Sequence, residues 1–143
     1  MTNSFLLEGI KVGFFKGVTT TINLAKIVVP VFFVVTILKA TPLMHYLDTI
    51  FSPFMKYFGL PGDASLVLIT GYLLNIYSAV GVIIGLGLNS REITILATMV
   101  LIAHSLILEG AICSRIGVNP FFITFFRILT SFIAGFLLNV VLR

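Results

Sequence analysis

Val100-Leu-Ile-Ala-His104-Ser105-Leu-Ile-Leu-Glu109-Gly-Ala-Ile-Cys113 sets a histidine, a serine and a glutamate inside an otherwise apolar run. Between Glu92 and Arg115 lie 22 residues whose only ionisable side chains are His104, Glu109 and Cys113. As a helix they reach roughly 33 Å, about the thickness of one hydrocarbon core. The stretch therefore reads as a membrane segment that carries an acid. An ionisable group at that depth costs several kcal/mol unless it is paired or hydrated, which makes it a functional-site candidate from the outset.

The rest of the chain agrees with a bilayer as its solvent. Of its 143 residues 59% are hydrophobic and 10% charged, against about 25% charged in a soluble domain, and the mean hydropathy is +1.18. The apolar runs are long and show no polar-inside alternation, so the expected fold is all-α rather than a barrel. The net charge of +4 comes from basic residues scattered singly at segment ends, the pattern of interfacial anchors and not of a nucleic-acid patch. One cysteine excludes an intrachain disulfide and a CxxC metal site. No phosphate loop, HExxH or GxSxG motif is present, and nothing points to an enzyme. No small-residue cleavage motif follows the first apolar stretch, so a removable signal peptide is not expected.

In chain order, residues 1–20 mix Phe5, Leu6, Ile10, Phe14 and Val18 with Glu8, Lys11 and Lys16, the pattern of a helix lying in the membrane interface. Residues 21–39 form the first spanning candidate, with Pro30 expected to kink or divide it near Lys26 to Val29. Residues 43–58 read as an amphipathic helix interrupted by Pro53 and ended by Gly59-Leu-Pro-Gly62. There His45, Asp48 and Lys56 are expected to face water or headgroups. Residues 63–89 carry one charge, Asp63, at their start. From Ala64 on they form either one tilted span or a re-entrant hairpin with its tip near Asn75 to Ser78, since irregular backbone at that depth must line a covered or wet cavity. The glycines at 71, 81, 85 and 87 fit that tip and fit close helix packing equally well.

The central helix spans 91–115. Asn89 or Ser90 is placed to cap it, with Glu92 in its first turn. Ser105 and Glu109 share a face, whereas His104 and Glu109 diverge by about 140° on a regular helix and meet only if it breaks. Residues 119–142 return through the membrane from the Asn119-Pro120 pair. Glu109 lies eight residues before Gly117 and Arg127 ten beyond it, so antiparallel helices bring the two to similar depth as an ion pair.

The basic residues also speak to assembly. With 63–89 as a hairpin, Lys11, Lys16, Lys26, Arg115 and Arg127 fall on one side and Lys39, Lys56, Arg91 and Arg143 on the other. With 63–89 as one span the division is again five against four. The positive-inside signal nearly vanishes, which permits insertion in both orientations and an antiparallel homodimer. Transporters built from inverted repeats bind substrate at the midplane between them, and this chain is sized as one such half.

The order of parts, with Gly59-Leu-Pro-Gly62, Gly71-Tyr-Leu-Leu-Asn-Ile-Tyr-Ser-Ala79 and His104-Ser105-Leu-Ile-Leu-Glu109, resembles the nucleoside-recognition gate-domain family of bacterial membrane proteins. The family is related to the gate regions of concentrative nucleoside transporters, ferrous iron transporters and spore maturation proteins A and B. The resemblance covers most of residues 10 to 140 and implies transport across the bacterial cytoplasmic membrane. In the nucleoside transporters a re-entrant hairpin and a discontinuous helix together hold substrate and a sodium ion. Carried over, the hairpin tip lies near Asn75 to Ser78 and the break near His104 to Glu109, with Asn75 and Ser105 as oxygen ligands for a cation. The glutamine, threonine and glutamate run with which those transporters grip the base is missing.

The leading expectation is a small transporter half moving a polar or anionic, nucleoside-like metabolite. Sodium or protons would supply the coupling and no other cofactor is expected. Asn75, Ser78 and Ser105 would bind through hydrogen bonds, and Glu109 would relay a proton or hold a cation. His104 belongs to the one residue type whose ordinary titration falls near neutral pH. Two alternatives stand beside it: a divalent metal permease using His104, Glu109 and Cys113, and a non-transporting structural or sporulation-type subunit.

Overall fold

Once water is replaced by lipid, every backbone donor must be met within the chain, and the answer here is helices throughout. The computed structural model describes residues 2–142, with the side chains of residues 8–142 apart from Ile27 and Lys39. The side chains of Phe5, Leu6 and Lys39, and Arg143 altogether, lie outside the described residues. Among those described there are seven α-helices and no strand: α1 (Thr2–Lys39), α2 (Pro42–Met55), α3 (Ser65–Leu73), α4 (Ile76–Leu86), α5 (Ser90–Ala103), α6 (Leu106–Arg115) and α7 (Pro120–Val141). Three stretches are long and apolar enough to cross a membrane: Glu8–Leu38, Ser90–Arg115 and Pro120–Val141. The chain is an all-helical membrane protein.

The expected division between an interfacial helix over 1–20 and a spanning helix from 21 is absent from the backbone, because α1 runs unbroken for 38 residues. Thr19 and Thr21 start no new helix. Their hydroxyls donate to the carbonyls of Phe15 and Gly17 at 2.8 and 3.0 Å, and with polar groups met inside the helix nothing ends it there. Pro30 likewise sits within α1 without terminating it. Residues 8–23 are exposed along their whole length. Farther on, Val28, Val31 and Val35 lie against Gly81 and Gly85 of α4, where a side chain at either glycine would collide with them.

Residues 63–89 fold back on themselves. The arms α3 and α4, nine and eleven residues long, are each too short to cross a core of about 30 Å. They pack together with Gly71 of one arm opposite Ala79 of the other. Asp48 also departs from expectation: its carboxylate accepts the Gly62 amide at 2.8 Å and ties α2 to the turn that launches α3.

Local caps explain the other boundaries. Gly87 adopts φ 68°, a left-handed conformation glycine tolerates, and closes α4. Asn89 and Glu92 form a capping box, with Asn89 Oδ1 accepting the Glu92 amide at 3.0 Å and Glu92 Oε2 accepting the Asn89 amide at 2.9 Å. Asn119 accepts the Phe121 amide at 3.0 Å and starts α7, with Pro120 in its first turn. The core lies where α3, α5 and α7 meet, around Ile95, Leu96, Met99 and Val100, all at most 1% exposed. There α5 and α6 together run antiparallel to α7.

Candidate functional site

The central apolar stretch is broken at its middle. Helix α5 stops at Ala103 and α6 starts at Leu106; between them His104 is extended and Ser105 is left-handed at φ 50°, ψ 39°. Ser105 is the one non-glycine residue with positive φ among the described residues. Such a conformation costs a side-chain-bearing residue about 1–2 kcal/mol and persists only where its surroundings hold it. What holds it is a bond out of the helix: the Ser105 amide donates to the Gly71 carbonyl in α3 at 3.0 Å. The broken helix and the first hairpin arm are thereby joined.

A break leaves carbonyls at the end of α5 without helical donors, and the candidate residues occupy them. His104 Nδ1 lies 3.2 Å from the Leu101 carbonyl, a bond made by the tautomer with hydrogen on Nδ1. Arg127 of α7 donates through Nε to the Ile102 carbonyl at 2.9 Å. The rest of the Arg127 guanidinium pairs with Glu109 in the first turn of α6. His104 Nε2 stands 3.6 Å from the other Glu109 oxygen. In that tautomer Nε2 carries a lone pair, so a proton is needed before imidazole and carboxylate can bond. The positive end of the α6 dipole also favours an anion there. Thus His104 and Glu109, which a regular helix would hold apart, meet because the helix is not regular.

The cluster is not sealed. The side chains of His104 and Glu109 are each 35% exposed and that of Arg127 is 20% exposed, amid Leu101, Ile107 and Leu108, all exposed apolar residues. Asn75 and Ser78 bond each other at the turn between α3 and α4, where Asn75 Oδ1 accepts from the Ser78 amide at 2.9 Å and the Ser78 hydroxyl at 3.2 Å. Asn75 is thus the cap of α4, and Ser78 is buried. Cys113 is half-buried on α6. Among the described residues no three of His, Cys, Asp and Glu gather as a metal ion would need.

Two polar constellations lie outside the sequence-derived list. At the far end of α5, Arg91 donates to the Gly59 carbonyl at 3.1 Å, the Leu142 carbonyl at 3.2 Å and the Asn139 side chain; Asn139 in turn donates to the Tyr57 carbonyl at 2.9 Å. Mid-core, the hydroxyls of Tyr72 and Ser131 bond each other, and Ser131 donates to the Met99 carbonyl at 2.8 Å. Only the polarity of Ser131 and Asn139 within the apolar α7 run could have hinted at either. An apolar groove of about 280 Å³ lined by Phe51, Phe54, Leu106, Ile128 and Phe132 lies on the flank of α7 away from Arg127.

The family model described as Gate, nucleoside recognition, matches residues 21–126. The chain is also 34% identical over 129 residues to the uncharacterized membrane protein YvoD of Bacillus subtilis (strain 168), a match covering 90% of this chain and 41% of that protein. The chain thus spans about two fifths of the length of that relative. No solved structure matches it.

Proposed function

The chain belongs to the nucleoside-recognition gate family of membrane proteins, and from that premise we propose that it is one half of a small transporter in the bacterial cytoplasmic membrane. Its cargo is a small polar or anionic metabolite, nucleoside-like in size, bound where the helix break meets the hairpin. Two copies in opposite orientations form the working unit. The observation that carries this reading is the joint itself: a mid-span break, tied by Ser105 to the hairpin at Gly71, exposes an acid held between an arginine and a histidine.

The geometry suggests how coupling works. Arg127 holds Glu109 in place while also bonding the end of α5 at Ile102. A proton arriving between His104 Nε2 and Glu109 Oε1 draws the carboxylate toward the ring and loosens it from Arg127. The guanidinium is then released for an anionic group on the cargo. Asn75, which caps α4, and Ser78, whose amide and hydroxyl it accepts, position the hairpin rather than touch cargo, and Ser105 contributes its backbone amide to the joint.

A structural-subunit reading is favoured by one observation, the completeness of the Glu109–Arg127 pair. Uptake separates the two. In proteoliposomes under an imposed proton or sodium gradient, with a panel of radiolabelled nucleosides and small carboxylates, the wild type accumulates at least one member and Glu109→Gln does not. Undiminished uptake by Glu109→Gln removes the acid from the mechanism. Purification only with a different partner chain, and no uptake of any member, supports the structural subunit.

A further inference from the structure

Resting on the reading of the chain as half of a transporter, we infer that an inverted second copy seats on one flank of the α5–α7 seam. That flank carries Thr94, Thr98, Thr130 and Ala134, and the second copy closes the His104–Glu109–Arg127 cluster into the interface.

The two flanks of α7 differ in chemistry. On one, Ile128 and Phe132 line the apolar groove, with Phe132 stacked among Phe54 and Phe58 at ring distances of 5.4 and 5.6 Å. On the other, Arg127, Thr130 and Ala134 follow one another at helical spacing, and Thr94 and Thr98 do the same on the adjoining side of α5. Each of these threonines donates its hydroxyl to the carbonyl four residues back, at 2.8 to 2.9 Å. The flank therefore presents small methyl-bearing side chains with no unmet donor, and a neighbouring helix can approach it closely. The greasy flank suits lipid; the threonine flank does not need it.

The charges make the case for a cover. Ionisable side chains in spanning segments face a bundle interior or a wet cavity, yet here a carboxylate and a histidine remain about one-third exposed on the single chain. The site is incomplete as it stands. A two-fold interface sets the same patch against itself, so one contact covers the exposed cluster of both copies. Three features favour a second copy as the occupant. The basic residues divide almost evenly between the two sides, so neither orientation is forbidden. The relative leaves 59% of its own length beyond the match, room for a second unit of this size. Thr130 also sits midway along Pro120–Val141, level with Val100 through the neighbouring Ser131–Met99 bond, the depth at which an in-plane two-fold axis leaves residues beside their own copies.

Cysteine crosslinking in native membranes tests this without any cargo. In a Cys113→Ala chain, Thr130→Cys is near-isosteric and lies at mid-depth, whereas Thr94→Cys lies on the same flank roughly 9 Å nearer one face. Ile69 also lines the apolar groove, and Ile69→Cys reports on it. Under copper-phenanthroline oxidation the expected result is covalent dimer at Thr130→Cys, at least fivefold above Thr94→Cys and Ile69→Cys. Equal dimer at Thr94→Cys indicates parallel copies and overturns the inference. So does a stronger signal at Ile69→Cys, or no dimer at any position. Dimer at Thr130→Cys without uptake of any cargo sinks the transport reading and leaves the interface standing; uptake without that dimer does the reverse.

Discussion

Arg91 and Arg127 sit at opposite ends of α5 and both bridge it to α7, yet they are satisfied in different ways. Arg91 is met by the carbonyls of Gly59 and Leu142 and by the neutral Asn139 side chain, acceptors that hold no exchangeable proton. Arg127 shares its guanidinium between the Ile102 carbonyl and Glu109, an acid with His104 on its other oxygen. At the Arg91 end every acceptor is neutral. At the Arg127 end the tie to α5 runs through a neutral carbonyl, and the second tie, to α6, runs through an acid. On the proposed function the first end is fixed and the α6 tie is the one released, and the experiments that follow attack that contrast.

The largest effect is expected at the releasable end. Glu109→Gln keeps the shape and removes the charge, and gradient-driven uptake should fall by about a hundredfold or more, in the range where a removed electrostatic partner leaves only residual activity. Uptake rates in proteoliposomes check this, and a loss below about threefold breaks the contrast. At the fixed end, Arg91→Met removes bonds made by a charged donor at a partly exposed site. It should lower unfolding stability in detergent by about 1.5 kcal/mol while leaving the pH dependence of uptake unchanged. A shifted pH profile in Arg91→Met would mean that both ends respond to protons.

Smaller effects concern what keeps the break in place. Ser105→Gly accepts the left-handed conformation without a side-chain penalty and should leave stability equal or raised by about 1 kcal/mol, whereas Ser105→Val should lower it; thermal unfolding of the pair decides. If Ser105→Gly is strongly destabilised, the side chain and not the bond to Gly71 holds the break. Ser131→Ala removes the bonds to Tyr72 and the Met99 carbonyl, and should cost about 0.6 kcal/mol, the average for such contacts between membrane helices.

The same contrast shows what a sequence discloses. The Glu109–Arg127 pairing is legible because Gly117 and Asn119-Pro120 mark a turn and the two charges are nearly equidistant from it. The place of the break, near His104 to Glu109, comes from the resemblance to the gate family and not from the residues alone, and the capped start of α5 is legible because Asn89 and Glu92 lie three apart. The pairing and the cap are local or reflect about a single turn. The Arg91 clamp joins residues 32, 48 and 51 positions apart, and the Tyr72–Ser131 bond spans 59. No periodicity carries such information, because it arises only after the hairpin has packed on α5. The continuity of α1 is hidden for the opposite reason: its lysine-bearing first half and its apolar second half differ in composition, and only the structure shows one backbone helix running through both. The 63–89 stretch reads two ways because its glycines serve a tilted span and a hairpin equally well.

Water access to the break tests the central claim most directly. In a Cys113→Ala chain, His104→Cys and Leu108→Cys lie four residues apart, one in the polar cluster and one on an apolar surface that is 64% exposed. With a membrane-impermeant charged methanethiosulfonate, His104→Cys should react at least tenfold faster than Leu108→Cys. Equal and negligible rates would show a dry ion pair at the break and contradict the account.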